Sequence, residues 1–482
     1  MWLLILGILA RLWRFGQIPN SLYWDEAAVG LDARSLIATG KDLAGHSWFQ
    51  PLFYSYGDYK APVYIWLTTL FGFIQGEVSE LTVRLPSLLA FAGTALVFYK
   101  LLKLVAPKSN APWLALVSLA IMPWSIHFSR IGMESNLSLF WLTLTVYLAV
   151  LAVKSRRYFW LLGAGLAVVL GTFSYINLRL VGPFLLAAVL SLWPASAKAS
   201  AGKPVWAKRL PYLIGMIAII GLGFWWLAQS PNYAVSQQYR LSNNNLLTSV
   251  NYINESVTAM TGDYSFVSKL IHHRFWYWLK DYLINYSKHF EPKFLFVSGD
   301  PNLRHHSGFG GQLLLIQLPL LLLGLLNWKT MGKRFGGLML GWLIISPVAA
   351  ALVNEVPHAS RAIYLSLPLA WLIGLGWSKL KPPWQTIVSL LLLVNLLVYM
   401  HDYFNHFPSR SALAWIKPYK DIALQFKDQP PTGPVYISPK LYKPELYFAF
   451  YLNDLSLFKT NDRFYYYLPD DCPQGAICVE SF

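Results

Sequence analysis

Six segments of the chain carry ionisable residues beside apolar stretches, and their types suit one kind of chemistry. Asp25 and Glu26 stand in SLYWDEAAVGLDAR (21–34), between the aromatic pair Tyr23–Trp24 and a small-residue run of helical character. Lys60 sits in GDYKAPVYIW and Arg84 in VRLPS. Arg130 and Glu134 stand in SRIGMESN, Arg304 and His305 in SGDPNLRHHSGFGGQ, His358 and Arg361 in VPHASRAIY. Asp25 falls where a helix would begin, and the run ends at Gly40, a helix stop. An acid in a helix's first turn faces the positive end of the macrodipole, which favours its ionised form. Asp32 follows two turns later on the same face. An ionised carboxylate at a membrane surface suits a general base. From these residues alone, an ordinary helix cap is the first reading of the position. Asp25, with Glu26 beside it, is thus a candidate catalytic carboxylate. Arginine and lysine suit phosphate, so Lys60, Arg84, Arg179, Arg304 and Arg361, with His305 and His358, make a candidate phosphate-binding set.

That asymmetry has a chemical meaning. Phosphate leaves a sugar's anomeric carbon as a stable anion and needs little acid assistance. One base and a cationic clamp therefore suffice for glycosyl transfer. A glycosidase needs two carboxylates flanking the bond, one held protonated. Asp25 and Glu26 are adjacent and diverge in direction, which fits that pattern poorly. Asp300, His305 and His306 are of metal-ligand type. Adjacent histidines usually point apart, however, and no HExxH or CxxC spacing is present. The expectation is a Gly-rich loop touching phosphate or sugar, with no metal.

These residues must be positioned by membrane helices. The 482-residue chain is 55% hydrophobic and 13% charged, with mean hydropathy +0.41. A water-soluble domain carries about 25% charged residues. Apolar runs of about 17–25 residues mark spans. Eleven are predicted: 2–16, 81–103, 111–128, 136–153, 158–175, 178–194, 211–229, 312–327, 335–353, 361–378 and 384–400. The first, carrying Arg11 and Arg14 near its end, is read as a retained span rather than a removed leader. Pro62 to Ile74 is too short to span and reads as an interfacial helix.

The positive-inside rule orients the array. With the N-terminus inside, the inner loops hold fifteen basic residues, from Lys100 to Lys381 and including Lys198 and Lys203, and no Asp or Glu. All 23 acids fall outside or at the outer boundary. The net charge of +16 is thereby an orientation signal and not a nucleic-acid footprint. The expected fold is an all-α polytopic membrane protein of about eleven spans. Residues 1–400 form the membrane domain, with outer loops at 17–80, carrying interfacial helices, and 230–311. Residues 401–482 read strand–helix–strand (PVYIS, KPELYFAFYLND, RFYYYLP), a small extracytoplasmic α/β cap. Cys472 and Cys478 lie there and are expected to form a disulfide in an oxidising compartment.

Taken together, YWDEAAVGLDA, GDYKAPVYIW with VRLPS, SRIGMESN, GDPNLRHHSGFGG and HASRAIYLSLPLAWL resemble the superfamily C integral-membrane glycosyltransferases. The likeness is to the bacterial branch related to protein O-mannosyltransferases and the lipid A aminoarabinose transferase. It covers most of residues 1–378; the tail is not diagnostic. The resemblance implies inverting transfer of a sugar from a polyprenyl-phosphate carrier to a lipid, glycan or protein hydroxyl. The reaction would take place on the outer face of the plasma (inner) membrane. It implies Asp25 as the first-loop catalytic acid and Lys60 as the lysine near the carrier phosphate. Glu134 matches the second-loop acidic position and joins Asp25 and Glu26 as a catalytic candidate. Arg361 matches the late-span arginine. Two departures stand out: Ala61–Pro62 replaces a frequent Pro-Pro after the lysine, and Glu134 is longer than the usual Asp. Relatives of the oligosaccharyltransferase type use a divalent metal; the branch resembled here implies none. A transporter or flippase for a lipid-linked sugar is the alternative, but it would want charges at mid-bilayer depth.

Overall fold

The computed structural model describes residues 1–55, 58–192, 205–244, 250–458 and 463–479. Lys198 and Lys203 of the predicted third inner loop lie outside them. Each of the eleven predicted spans contains a helix, but by length they divide into two groups. Five helices are long and apolar enough to cross a membrane alone: Glu80–Val105, Glu134–Ser155, Lys208–Ala228, Lys333–Leu352 and Pro382–Asn405. Ala111–Ile121 and Pro123–Arg130 make a sixth if taken as one broken span, bent by 59°. The sequence reads that pair as one span; Pro123, which has no N–H and fixes φ, opens the second piece and accounts for the break. Trp2–Leu12, Trp160–Thr172, Leu178–Leu192, Gln317–Leu326 and Ile363–Ser378 are apolar but shorter. This is a membrane protein whose helical bundle mixes full-length and short pieces.

Close approach of backbones holds the bundle's centre. Ser366–Ser378 packs between Ala111–Ile121 and Gln317–Leu326. A Cβ on Gly374 would meet the Ala115 backbone N at 2.2 Å, and one on Gly324 would meet the Leu372 carbonyl oxygen at 1.9 Å. Only glycine permits those crossings, as is common where membrane helices associate through small residues.

The segment after the first helix supplies two helices too short to span. Trp24–Thr39 ends at Gly40, whose φ of 71° is the left-handed stop expected from sequence. Pro62–Gln75 starts with Pro62 at its first position, where a missing N–H costs nothing. Between them Phe53–Ser55 and Asp58–Lys60 pair antiparallel, Phe53 opposite Lys60. Among the described residues after 230, the chain forms helices Pro231–Asn244, Asn251–Ala259, Phe266–Ile271 and Arg274–Lys288.

The tail contains the expected strand, helix and strand as Val435–Ile437, Pro444–Tyr451 and Phe464–Tyr465. A third strand, Ile477–Val479, joins them, and both outer strands run parallel to Val435–Ile437. Cys472 and Cys478 are disulfide-bonded. The tail does not fold on a core of its own. Leu22, Ala27, Ala28 and Leu31 of the first loop share one cluster with Ile416, Tyr419, Phe448 and Phe450. Arg34 donates to the Phe450 carbonyl at 2.5 Å and lies 4.1 Å above its ring. Lys420 pairs with Glu80 at 2.8 Å. The tail is thereby clamped onto the helix that carries Asp25.

Candidate active site

The first helix ends in carbonyls that no fourth-next residue can satisfy. Arg130 does so for Ala10 and Arg11, and Arg11 and Arg84 hold further carbonyls around it. Arg11 donates to Gly7 and Ala120 carbonyls at 2.5 and 2.6 Å. Arg130 reaches the carbonyls of Ala10, Arg11, Arg14 and Ile18 at 2.8–3.2 Å. Arg84 takes those of Gly16, Pro19 and Ser21 at 2.9, 2.8 and 2.5 Å. This network fixes where Tyr23, and the helix after it, begins.

Within that helix the two adjacent acids part company, because successive helical residues are turned by about 100°. Glu26 points inward and is fully buried. Its oxygens meet Arg84 at 3.2 and 3.3 Å, accept the Gly132 N–H at 2.5 Å, and accept the Tyr23 N–H at 3.3 Å. The capping role therefore falls to Glu26. Two sequence expectations are corrected here: neither Glu26 as a catalytic carboxylate nor Arg84 as a phosphate ligand lines the site, because each is the other's buried partner.

Asp25 points the other way, into a cavity of about 600 Å³, a size usual for small-ligand sites. The hairpin carries Lys60 to it, and Lys60 is paired with Asp25. Glu134, at the start of its helix, lies 4.0 Å from the same ammonium. Both line the cavity, Asp25 30% exposed and Lys60 5% exposed, so the carboxylate is the more open of the two. Lys60, placed near a phosphate by the sequence, lines the cavity and also lies against two carboxylates.

The opposite wall is built by Asp300. Its Oδ1 accepts the Asn302 N–H at 2.8 Å and its Oδ2 the Ala359 N–H at 2.7 Å. That one side chain ties the Gly-rich loop to the 356–361 segment. Arg304, His305, His358 and Arg361 thereby meet on one wall of the cavity. Arg304 is braced by Asn302 Oδ1 at 3.1 Å and lies 4.1 Å over the Trp24 ring. Among the described residues, neither Arg304 nor Arg361 has a carboxylate partner. His305 stacks on His358 with ring centroids 4.6 Å apart. His306 turns away; its Nδ1 accepts the Gly308 N–H at 3.0 Å. Burial lowers the imidazole of His306 to about 4 and that of His358 well below its ordinary value.

Sequence reasoning missed the tail's share of the site. Tyr442, Lys443 and Leu446 line the cavity, and Tyr442 packs edge-on against Trp24 at 5.4 Å. Tyr442 and Lys443 have φ of 73° and 55°, a backbone kink with no clear mark in the sequence beyond the following Pro444.

Residues 59–226 match the family model for dolichyl-phosphate-mannose-protein mannosyltransferase. Among solved structures, ArnT from Cupriavidus metallidurans in the apo state aligns with a TM-score of 0.54 at 13% identity, over 93% of this chain and 84% of that one. The same protein bound to undecaprenyl phosphate aligns with a TM-score of 0.52 at 14% identity, over 94% and 84%. The Archaeoglobus fulgidus oligosaccharyltransferase in complex with Zn and sulfate aligns with a TM-score of 0.52 at 14% identity, over 93% and 61%. The chain shares the fold of these solved structures. No curated protein sequence matches the chain. The stretch matched by the family model carries Lys60, Arg84 and Glu134 but neither Asp25 nor the arginine wall. The chain spans about three-fifths of the oligosaccharyltransferase's length.

Proposed function

We propose that the protein is an inverting glycosyltransferase that moves a sugar from a polyprenyl-phosphate carrier to an acceptor hydroxyl. In this reading it is a multi-pass protein of the plasma (inner) membrane with its cavity on the extracytoplasmic face. The observation that carries the reading is the cavity's division of charge. A carboxylate, Asp25, faces one side, and two guanidiniums that have no carboxylate partner among the described residues, Arg304 and Arg361, face the other. The arginines take the carrier phosphate, bidentate contacts suiting its geometry. Asp25 accepts the proton of the acceptor hydroxyl as that oxygen attacks the anomeric carbon, and the carrier phosphate departs with the bonding pair. Lys60 orients Asp25, and Glu134 holds Lys60 from the other side. A divalent ion between Asp25 and Glu134 does not fit these residues, because the Lys60 ammonium already lies against both. No step is routed through a metal there. The acceptor is a lipid, a glycan or a protein hydroxyl, and the structure's match to ArnT bound to undecaprenyl phosphate supports the carrier class.

The test is the full chain in detergent, supplied with polyprenyl-phosphate sugars labelled in the sugar and with candidate acceptors. Release of free carrier together with label on an acceptor, at inverted configuration, is the expected result. Movement of intact lipid-linked sugar across a reconstituted bilayer without carrier release would favour the transporter reading.

A further inference from the structure

The Asp300 carboxylate and the stacked histidines His305 and His358 form a cluster whose makeup the proposed transfer does not use. One donor atom from each lies within 4.8 Å of the other two. His305 Nδ1 is 3.3 Å from Asp300 Oδ2. We propose that these three side chains form a site for a divalent transition metal of the zinc type. Two imidazoles and one carboxylate, with a fourth position left open, is the donor set of many catalytic zinc sites. Magnesium and calcium would demand oxygen ligands that the site lacks.

The surroundings are those of a held ligand set. Asp300 is 3% exposed, and backbone N–H groups of Asn302 and Ala359 fix both of its oxygens. The His358 N–H donates to His289 Nε2 at 3.2 Å, and its Nδ1 accepts the Arg361 N–H at 3.4 Å, a bond that a metal-bound ring gives up. Outer contacts of this kind orient metal ligands. Tetrahedral ligands at zinc bond lengths lie about 3.4 Å apart. Closing from 4.8 Å needs a shift of little more than an ångström, within reach of imidazole rotation. His306 is excluded because its nitrogens face Gly308 and Gly311. His305 and His358 line the cavity whereas Asp300 lies behind them. The open position thereby faces the space that Arg304 and Arg361 line, where it takes water or a phosphate oxygen. The metal assignment does not rest on the glycosyltransferase reading, and its failure would leave that reading standing.

The full chain in detergent, stripped with a chelator, is titrated with zinc chloride by calorimetry and with cobalt(II) followed by visible absorption. One ion per chain and the d–d bands of a four-coordinate nitrogen–oxygen site are expected. Loss of an outer partner alone weakens such sites by about 10–100-fold. His305→Ala and His358→Ala, which remove ligands, should each weaken binding by at least about 100-fold and abolish the bands. His401→Ala, in the separate His401–His406 pair, should change nothing. If either alanine variant is not monodisperse, His358→Gln, at a partly buried position, carries the same expectation. Equal binding in wild type and the His358 variants, absence of saturable binding, or loss confined to His401→Ala would overturn the site.

Discussion

Arg84→Ala is expected to break the fold before it touches the chemistry. The guanidinium makes two contacts with Glu26 and three with the carbonyls of Gly16, Pro19 and Ser21, all fully buried. Removing one partner of a buried ion pair costs about 3–5 kcal/mol. Each buried carbonyl left without a donor adds about 1–3 kcal/mol. The sum approaches the about 5–15 kcal/mol that keeps a typical domain folded. Glu26→Gln is expected to fall nearer the lower end, since an amide oxygen still accepts the Gly132 N–H. Replacing both members, as Glu26→Leu with Arg84→Met, should recover the pair's share of the loss but not that of the carbonyls. The assay is size-exclusion chromatography with fluorescence detection after a heating series. Binding of labelled polyprenyl phosphate is then measured on the monodisperse fraction. The expected result is a strongly lowered midpoint and, below it, near-normal binding. An Arg84→Ala protein as stable as wild type but unable to bind the carrier would refute the argument and return Arg84 to the phosphate site.

Asp25→Asn keeps the shape of the side chain but cannot take a proton, so turnover with saturating donor should fall about 10²–10⁴-fold; near-normal turnover would remove Asp25 as the base. Arg361→Ala should weaken carrier binding by about 2–5 kcal/mol with an unchanged thermal midpoint, because among the described residues it has no carboxylate partner to strand. Lys60→Ala should lower both binding and midpoint, since it leaves Asp25 and Glu134 facing each other; a change in binding alone would show that the bridge does not matter. Asp32 gives a pH prediction. Burial pushes its carboxyl up to about 7 despite the hydrogen bond from Ser55. The folded protein then holds a proton that the unfolded chain has released. Stability from this residue is greatest in acid, falls as pH rises from about 4 to about 7, and is flat beyond, a loss of about 4 kcal/mol at about 1.4 kcal/mol per pH unit. Midpoints at pH 5 and 8 should converge in Asp32→Asn relative to wild type, and an unchanged difference would assign the slope to other groups.

The parts of this protein that follow from local pattern were legible in its sequence. Long apolar runs must be helical in a bilayer, because only there is every backbone group satisfied within the segment. Gly40 and Pro62 end and begin helices as their backbone preferences require. The strand–helix–strand order of the tail and the pairing of Cys472 with Cys478 were readable for the same reason. Tertiary structure alone decided which of two neighbouring acids faces the cavity. Asp25 and Glu26 have the same local surroundings, and the choice was made by Arg84 and Gly132, which lie 58 and 106 residues away. It likewise set His305 toward His358 and His306 away from it, and brought Tyr442 over Trp24. A side chain's chemistry depends on partners that meet it only when the chain closes, and periodicity along one helix carries no information about them.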